Sequence, residues 1–124
     1  HIANIWDETE YLVPVIAPRS EKVEIMNIHR PKVMIVGTSF VWALLKDLRK
    51  HDVFTNSNFY YYFNRLVNIR NGRQSRLKAD HQAWKEDLNT SSAVIFEINQ
   101  SAVVNLGFEF LDKAIEYLEA KKDD

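Results

Sequence analysis

The sequence predicts an α/β protein, a three-layer sandwich built on a mostly parallel sheet. Three observations carry that expectation. Val33-Met34-Ile35-Val36 and Ala93-Val94-Ile95-Phe96 are continuous apolar runs, the pattern of strands covered on both faces. Between and after them, apolar residues recur at helical spacing. Strands and helices therefore alternate along the chain, which is the grammar of parallel strands joined by helical crossovers.

In order along the chain, residues 1–31 form an irregular lead-in to a core over residues 32–118. The lead-in mixes apolar residues with Pro14, Pro18 and an acidic start, and only residues 23–28 alternate well enough for a short edge strand. Pro31 breaks that pattern. The first buried strand then ends at Gly37, and Thr38 or Ser39 is placed to cap the helix that follows. Val41, Leu44, Leu45 and Leu48 form the core-facing stripe of that helix. Phe59-Tyr60-Tyr61-Tyr62-Phe63 has the aromatic content of a strand. Residues 64–76, with three asparagines, Gly72 and four arginines, read as a long polar excursion. Leu77, His81, Trp84 and Leu88 share the face of a second helix, Ala93 to Phe96 is a second buried strand, and Phe110, Leu111, Ala114, Ile115 and Leu118 mark a final amphipathic helix. The strand order is expected to be flavodoxin-like or hydrolase-like.

At 124 residues the chain is expected to be a single domain. Sixteen basic and seventeen acidic residues give a net charge of −1, which argues against a broad electrostatic grip on nucleic acid or on an anionic membrane. No apolar run is long enough to span a bilayer. The lack of cysteine removes disulfides, thiolate metal sites and cysteine nucleophiles together. No cofactor is expected. The chain begins at His1 without a methionine, so it reads as a piece of a longer protein.

Ligands of such sheets bind beyond the carboxyl ends of the strands, and three polar features are expected to meet there. Thr38 and Ser39 follow the first buried strand, Asn64 follows the aromatic one, and Glu97 and Asn99 end the last and share a side. Ser39 sits where a strand turns into a helix, a position that exposes a hydroxyl near the free N–H groups of the first helical turn. Those donors can stabilise an oxyanion during acyl transfer. The plainer reading is that Thr38-Ser39 is a helix cap. Glu97 can orient a base or bind a sugar hydroxyl, or it can bond to backbone amides and hold the next loop. Phe59, Tyr61 and Phe63 are expected to pack in the core rather than to stack on sugars. Arg65, Arg70, Arg73, Arg76 and Lys78 can bind an anionic polymer, but a solvated loop is the simpler account. No histidine makes a convincing base for Ser39. His29 lies at the far end of the first strand, His51 ends the first helix, His81 falls on the apolar stripe beside Trp84, and His1 is terminal. No histidine pair has metal-ligand spacing, so no metal site is expected.

With these residues in view, the chain resembles the SGNH-hydrolase-like domain of alginate O-acetyltransferases and related polysaccharide-modifying proteins. Val33-Met34-Ile35-Val36-Gly37-Thr38-Ser39-Phe40 is similar to the nucleophile block of that family, and Ala93-Val94-Ile95-Phe96-Glu97-Ile98-Asn99 to its closing strand. The order of blocks, with Phe59 to Asn64 and the final helix, extends the resemblance over about residues 32–118. It implies a serine nucleophile at Ser39 and transfer of an acyl group to or from a carbohydrate hydroxyl. Gly37, Thr38, Asn64, Glu97 and Asn99 are then the candidates for oxyanion or substrate positioning. The Asp-x-His or Asp-x-x-His partner motifs of such enzymes do not occur in this chain. Either an upstream region of the same protein supplies the base, or the domain is a non-catalytic relative. The expected partner is a polysaccharide or other carbohydrate, and the resemblance leans to an extracytoplasmic location. The alternatives are a carbohydrate-binding module of the same fold and an interaction domain of flavodoxin-like shape.

Overall fold

A computed structural model describes residues 29–100, 103 and 108–124. The element order is β1 (Lys32–Gly37), α1 (Val41–His51), β2 (Thr55–Tyr61), β3 (Arg65–Asn68), β4 (Gln74–Arg76), α2 (Ala83–Thr90), β5 (Ala93–Phe96) and α3 (Phe110–Lys122). The strands form one five-stranded sheet in the order β4-β3-β2-β1-β5. The edge strand expected at residues 23–28 lies outside the described residues.

As expected, β1 and β5 are parallel neighbours, with Val33, Met34, Ile35 and Val36 opposite Ala93, Val94, Ile95 and Phe96. β1 also pairs in parallel with β2. The sheet as a whole is mixed rather than mostly parallel, because β2–β3 and β3–β4 are antiparallel. These two strands come from the segment read as a polar excursion. A ladder is made by backbone groups, and β4 is exposed along its whole length. It needs no apolar side chains, so it leaves no hydrophobic pattern. β5 also departs from expectation: of the two continuous apolar runs, only β1 is buried on both faces. Among the described residues β5 is an edge strand, and its Ala93 and Val94 are exposed while Ile95 and Phe96 are half-buried.

Period-two alternation sends β1 into two cores. Val33 and Ile35 pack with Phe59, Val67, Ile69, Val41 and Leu45 beneath α1. Met34 and Val36 pack on the other face with Tyr60, Phe63, Trp84, Phe110 and Ala114, under α2 and α3. The described residues therefore form an α/β arrangement with α1 on one face of the sheet and α2 and α3 on the other. Of the α1 stripe, Val41 and Leu45 are buried and Leu48 packs at the margin, but Leu44 is 46% exposed. Of the final stripe, Phe110 and Ala114 are buried, whereas Ile115 and Leu118 face outward and Tyr117 packs in their place. α2 begins only at Ala83, so Leu77 and His81 precede the helix on which the periodicity placed them. Phe59, Tyr60 and Phe63 are buried and Tyr61 is half-buried. No helix among the described residues is long and apolar enough to cross a membrane.

A buried polar cluster, not singled out from sequence, ties α2 to the second core. Asp87 is 6% exposed. Its Oδ2 accepts hydrogen bonds from the Tyr60 hydroxyl at 2.6 Å and the Asn58 amide at 2.8 Å. Lys32 Nζ lies 3.0 Å from Oδ1 and also donates to the Thr90 hydroxyl. Burial, and then the adjoining Asp87 carboxylate, hold the Tyr60 hydroxyl protonated well above the ordinary tyrosine range. The unfolded chain releases this proton near the ordinary value of 10.0, whereas the folded chain keeps it. Tyr60 therefore contributes full stability below pH 10, and that contribution falls by about 1.4 kcal/mol per pH unit above it. Tyr60→Phe should flatten this alkaline limb, measured by urea unfolding from pH 8 to pH 11. An unchanged slope would show that the hydroxyl titrates alike in both states.

Candidate functional site

The carboxyl ends of β1, β2 and β5 are joined by backbone bonds where the strands stop. Tyr62 N–H donates to Gly37 O at 2.9 Å, and Glu97 N–H donates to Val36 O at 2.9 Å. The turn from β1 into α1 sits on this platform. Thr38 is fully buried, and its N–H and hydroxyl both donate to Glu97 Oε2, each at 2.7 Å. The backbone-amide role considered for Glu97 is thus the one observed: the carboxylate locks the start of the turn to the end of β5. A carboxylate accepting two short bonds is a strong, charge-assisted tie.

Gly37 is required here by space. A Cβ at that position would lie 2.7 Å from Val41 Cγ2 and 3.0 Å from both Cβ and Oε2 of Glu97. The Gly37→Ala variant must push away a buried valine or the locking carboxylate. We expect a loss of about 1–3 kcal/mol, typical of overpacking. The shift of the urea midpoint measures it, and no shift would mean that the turn yields freely.

Beyond the lock, Ser39 is exposed, and Phe40 beside it leaves 68% of its surface in solvent. Phe40 is the N-cap residue, and no side chain caps α1. The expected cap is thus replaced by a turn: Thr38 Oγ1 accepts only a long 3.4 Å bond from Phe40 N–H. Val41 N–H donates to Thr38 O and Trp42 N–H to Ser39 O, both at 3.2 Å. The N–H groups of Thr38, Phe40, Val41 and Trp42 are therefore engaged, and Ser39's own N–H takes no part in this set. The helix still directs the positive end of its dipole at the serine.

The other candidates fall at different distances from this turn. Asn99 is half-buried, two residues beyond Glu97. Asn64 closes the β2–β3 turn, with its N–H on Tyr61 O and its carbonyl accepting from Leu77 N–H at 2.8 Å. Asn64 lines a separate cavity with Arg65, Arg76 and Lys78. Tyr62 and Phe63 in the same turn adopt left-handed backbone angles, φ 47° and 54°, as do Phe108 and Glu109 before α3, φ 62° and 66°. Such angles cost non-glycine residues about 1–2 kcal/mol each. The Tyr62 and Phe108 rings meet edge-on at 5.1 Å, so two strained turns close on each other at this edge.

None of the described histidines is hydrogen-bonded to Ser39. His81 Nε2 lies 3.1 Å from Phe63 O, an acceptor, so this nitrogen carries the proton. The ring stacks on Tyr60 at 6.0 Å and 14°, in the role expected of a core histidine. His51 belongs to the basic last turn of α1, at the opposite end of that helix from Ser39. His29 precedes β1. Among the described residues no group of three or more His, Asp or Glu side chains can hold a metal ion. Comparison of the chain with protein-family models, curated proteins and solved structures finds no match.

Proposed function

We propose that this chain is the serine-bearing part of an SGNH-hydrolase-like acyltransferase or esterase, acting on the hydroxyl groups of an extracytoplasmic polysaccharide. The observation that carries this reading is the turn itself. An exposed serine stands at a strand-to-helix junction whose preceding residue is buried and locked by Glu97. Such rigidity holds the Ser39 hydroxyl at the sheet edge without drawing it into a cap. In the proposed step, Ser39 Oγ attacks the acyl carbonyl carbon while a base takes its proton, and the donor's leaving group departs. The acyl group then passes from Ser39 to a carbohydrate hydroxyl. The dipole of α1 favours the oxyanion that forms. The base comes from outside the described residues. Gly37, Thr38 and Glu97 fix the turn, and Asn99 lies along the same edge as a substrate-positioning group.

A fluorophosphonate probe, applied to the full-length protein, tests the assignment. Covalent labelling is expected on the peptide carrying Ser39, and Ser39→Ala should remove it. One observation favours a second reading, a non-catalytic carbohydrate-binding domain. Four N–H groups of the turn are already bonded, and no described imidazole reaches the serine. That reading predicts no labelling, with sugar binding unchanged by Ser39→Ala.

A further inference from the structure

Between Asp52 and Asp80 the chain has no acidic residue, yet it carries Arg65, Arg70, Arg73, Arg76 and Lys78. In a protein of net charge −1, this is strong segregation of charge onto one hairpin. The sheet register sharpens it. Arg65 and Arg76 are direct partners across the β3–β4 ladder. Directly opposed side chains share a face, and like charges there destabilise the pair. Little relieves them. The Arg65 guanidinium makes one 3.3 Å bond to Gln74 Oε1 and lies 5.9 Å from the Tyr61 ring centre. Among the described residues Arg65, Arg76 and Lys78 have no carboxylate partner, whereas Arg70 lies 4.0 Å from Asp52. All three line one cavity of about 480 Å³, together with Asn64.

We propose that this rung is an oxyanion-binding subsite, in which Arg65, Arg76, Lys78 and Asn64 hold a phosphate or carboxylate group borne by a small organic ligand. Two guanidinium groups and an ammonium, with an amide able to donate beside them, match an oxyanion in charge and in donor geometry. The cavity exceeds the size of a bare ion and falls in the range of small-molecule sites. Protection of the β4 edge against strand pairing explains charge on this strand, but not its sign. A mixed-sign rung protects an edge equally well and turns repulsion into attraction. The subsite does not depend on Ser39 being a nucleophile, and its test needs no enzymatic readout.

The experiment is an amide NMR titration of the chain at constant ionic strength, with inorganic phosphate, glucose 6-phosphate and glucuronate against sodium chloride. Saturable shifts are expected at Arg65, Arg76 and Lys78, with an affinity at least ten-fold above that for chloride. The probe that binds more tightly identifies phosphate or carboxylate as the natural group. Arg76→Gln should weaken binding ten-fold or more, and Ser39→Ala should leave it unchanged. Without phosphate, Arg76→Glu should raise the melting temperature at low salt by removing the repulsion. Phosphate should then raise the melting temperature of the original chain and not that of the variant. Shifts no greater than with chloride, or spread equally over exposed Lys46 and Lys50 on α1, would overturn the proposal. So would an oligonucleotide that binds ten-fold more tightly than phosphate and shifts Arg70 and Arg73 as well, which would make the hairpin a nucleic-acid surface.

Discussion

On the proposed function, Ser39→Ala in the full-length protein is expected to lower acyl transfer on the order of 10⁶-fold while leaving the fold intact. The size of the loss follows from removing a nucleophile that no neighbour replaces, with the remaining rate coming from binding and from the field of the turn. The small structural cost follows from geometry. The Ser39 side chain is exposed and does not cap α1, so its stability change should stay below about 1 kcal/mol. Turnover of an activated ester, with urea unfolding in parallel, separates the two effects. Full activity in the alanine variant would remove Ser39 as the nucleophile and leave a rigid turn without chemistry. Loss of activity together with several kcal/mol of stability would instead mark a structural role that the exposed side chain does not support.

Asp87→Ala is expected to destabilise the protein by about 3–5 kcal/mol, the range for removing one partner of a buried ion pair. Three donors converge on this carboxylate: the Tyr60 hydroxyl, the Asn58 amide and the Lys32 ammonium. Alanine leaves the Tyr60 hydroxyl and Asn58 amide without their acceptor and Lys32 with only Thr90, in a site from which water is largely excluded, since the Asp87 and Lys32 side chains are only 8% and 20% exposed. Against a total stability of about 5–15 kcal/mol, this is a large fraction. Thermal and urea unfolding followed by circular dichroism measure it directly. Combining Lys32→Met with Asp87→Leu should recover only part of the loss: neither charge is left buried alone, but the Tyr60 hydroxyl and the Asn58 amide still lack their acceptor. A loss under about 1 kcal/mol for Asp87→Ala would show that water serves these donors in its place.

Much of the candidate site was legible from sequence because it rests on local signals. Gly37 ends a continuous apolar strand, and the next residues must lead into a helix whose stripe starts at Val41. That places Thr38 and Ser39 at a carboxyl edge with no knowledge of the rest of the chain. The partner of Glu97 was open in sequence. A carboxylate after an apolar strand needs donors, but only strand order decides which ones. With β5 beside β1, the Glu97 carboxylate reaches Thr38. Asn64 shows the opposite outcome. Its position after the aromatic strand pointed to the same edge, but in the fold it lines the arginine-bearing cavity of the hairpin that follows β2.

The continuous apolar runs and the helical spacing of apolar residues determined by themselves that this is an α/β protein, that residues 33–36 and 93–96 are strands, and that helices begin near Val41 and Phe110. Burial imposes these periods on any chain, so they are written in composition and spacing. Only the tertiary structure decided that the sheet is mixed, that β5 forms an edge, that Leu44, Ile115 and Leu118 face outward, and that Asp87 is buried. Each of these depends on which surface lies opposite. The exposed β4 is held by backbone bonds that leave no mark on side-chain pattern, and Asp87 is tolerated inside because Lys32, Asn58 and Tyr60, distant in sequence, converge on it.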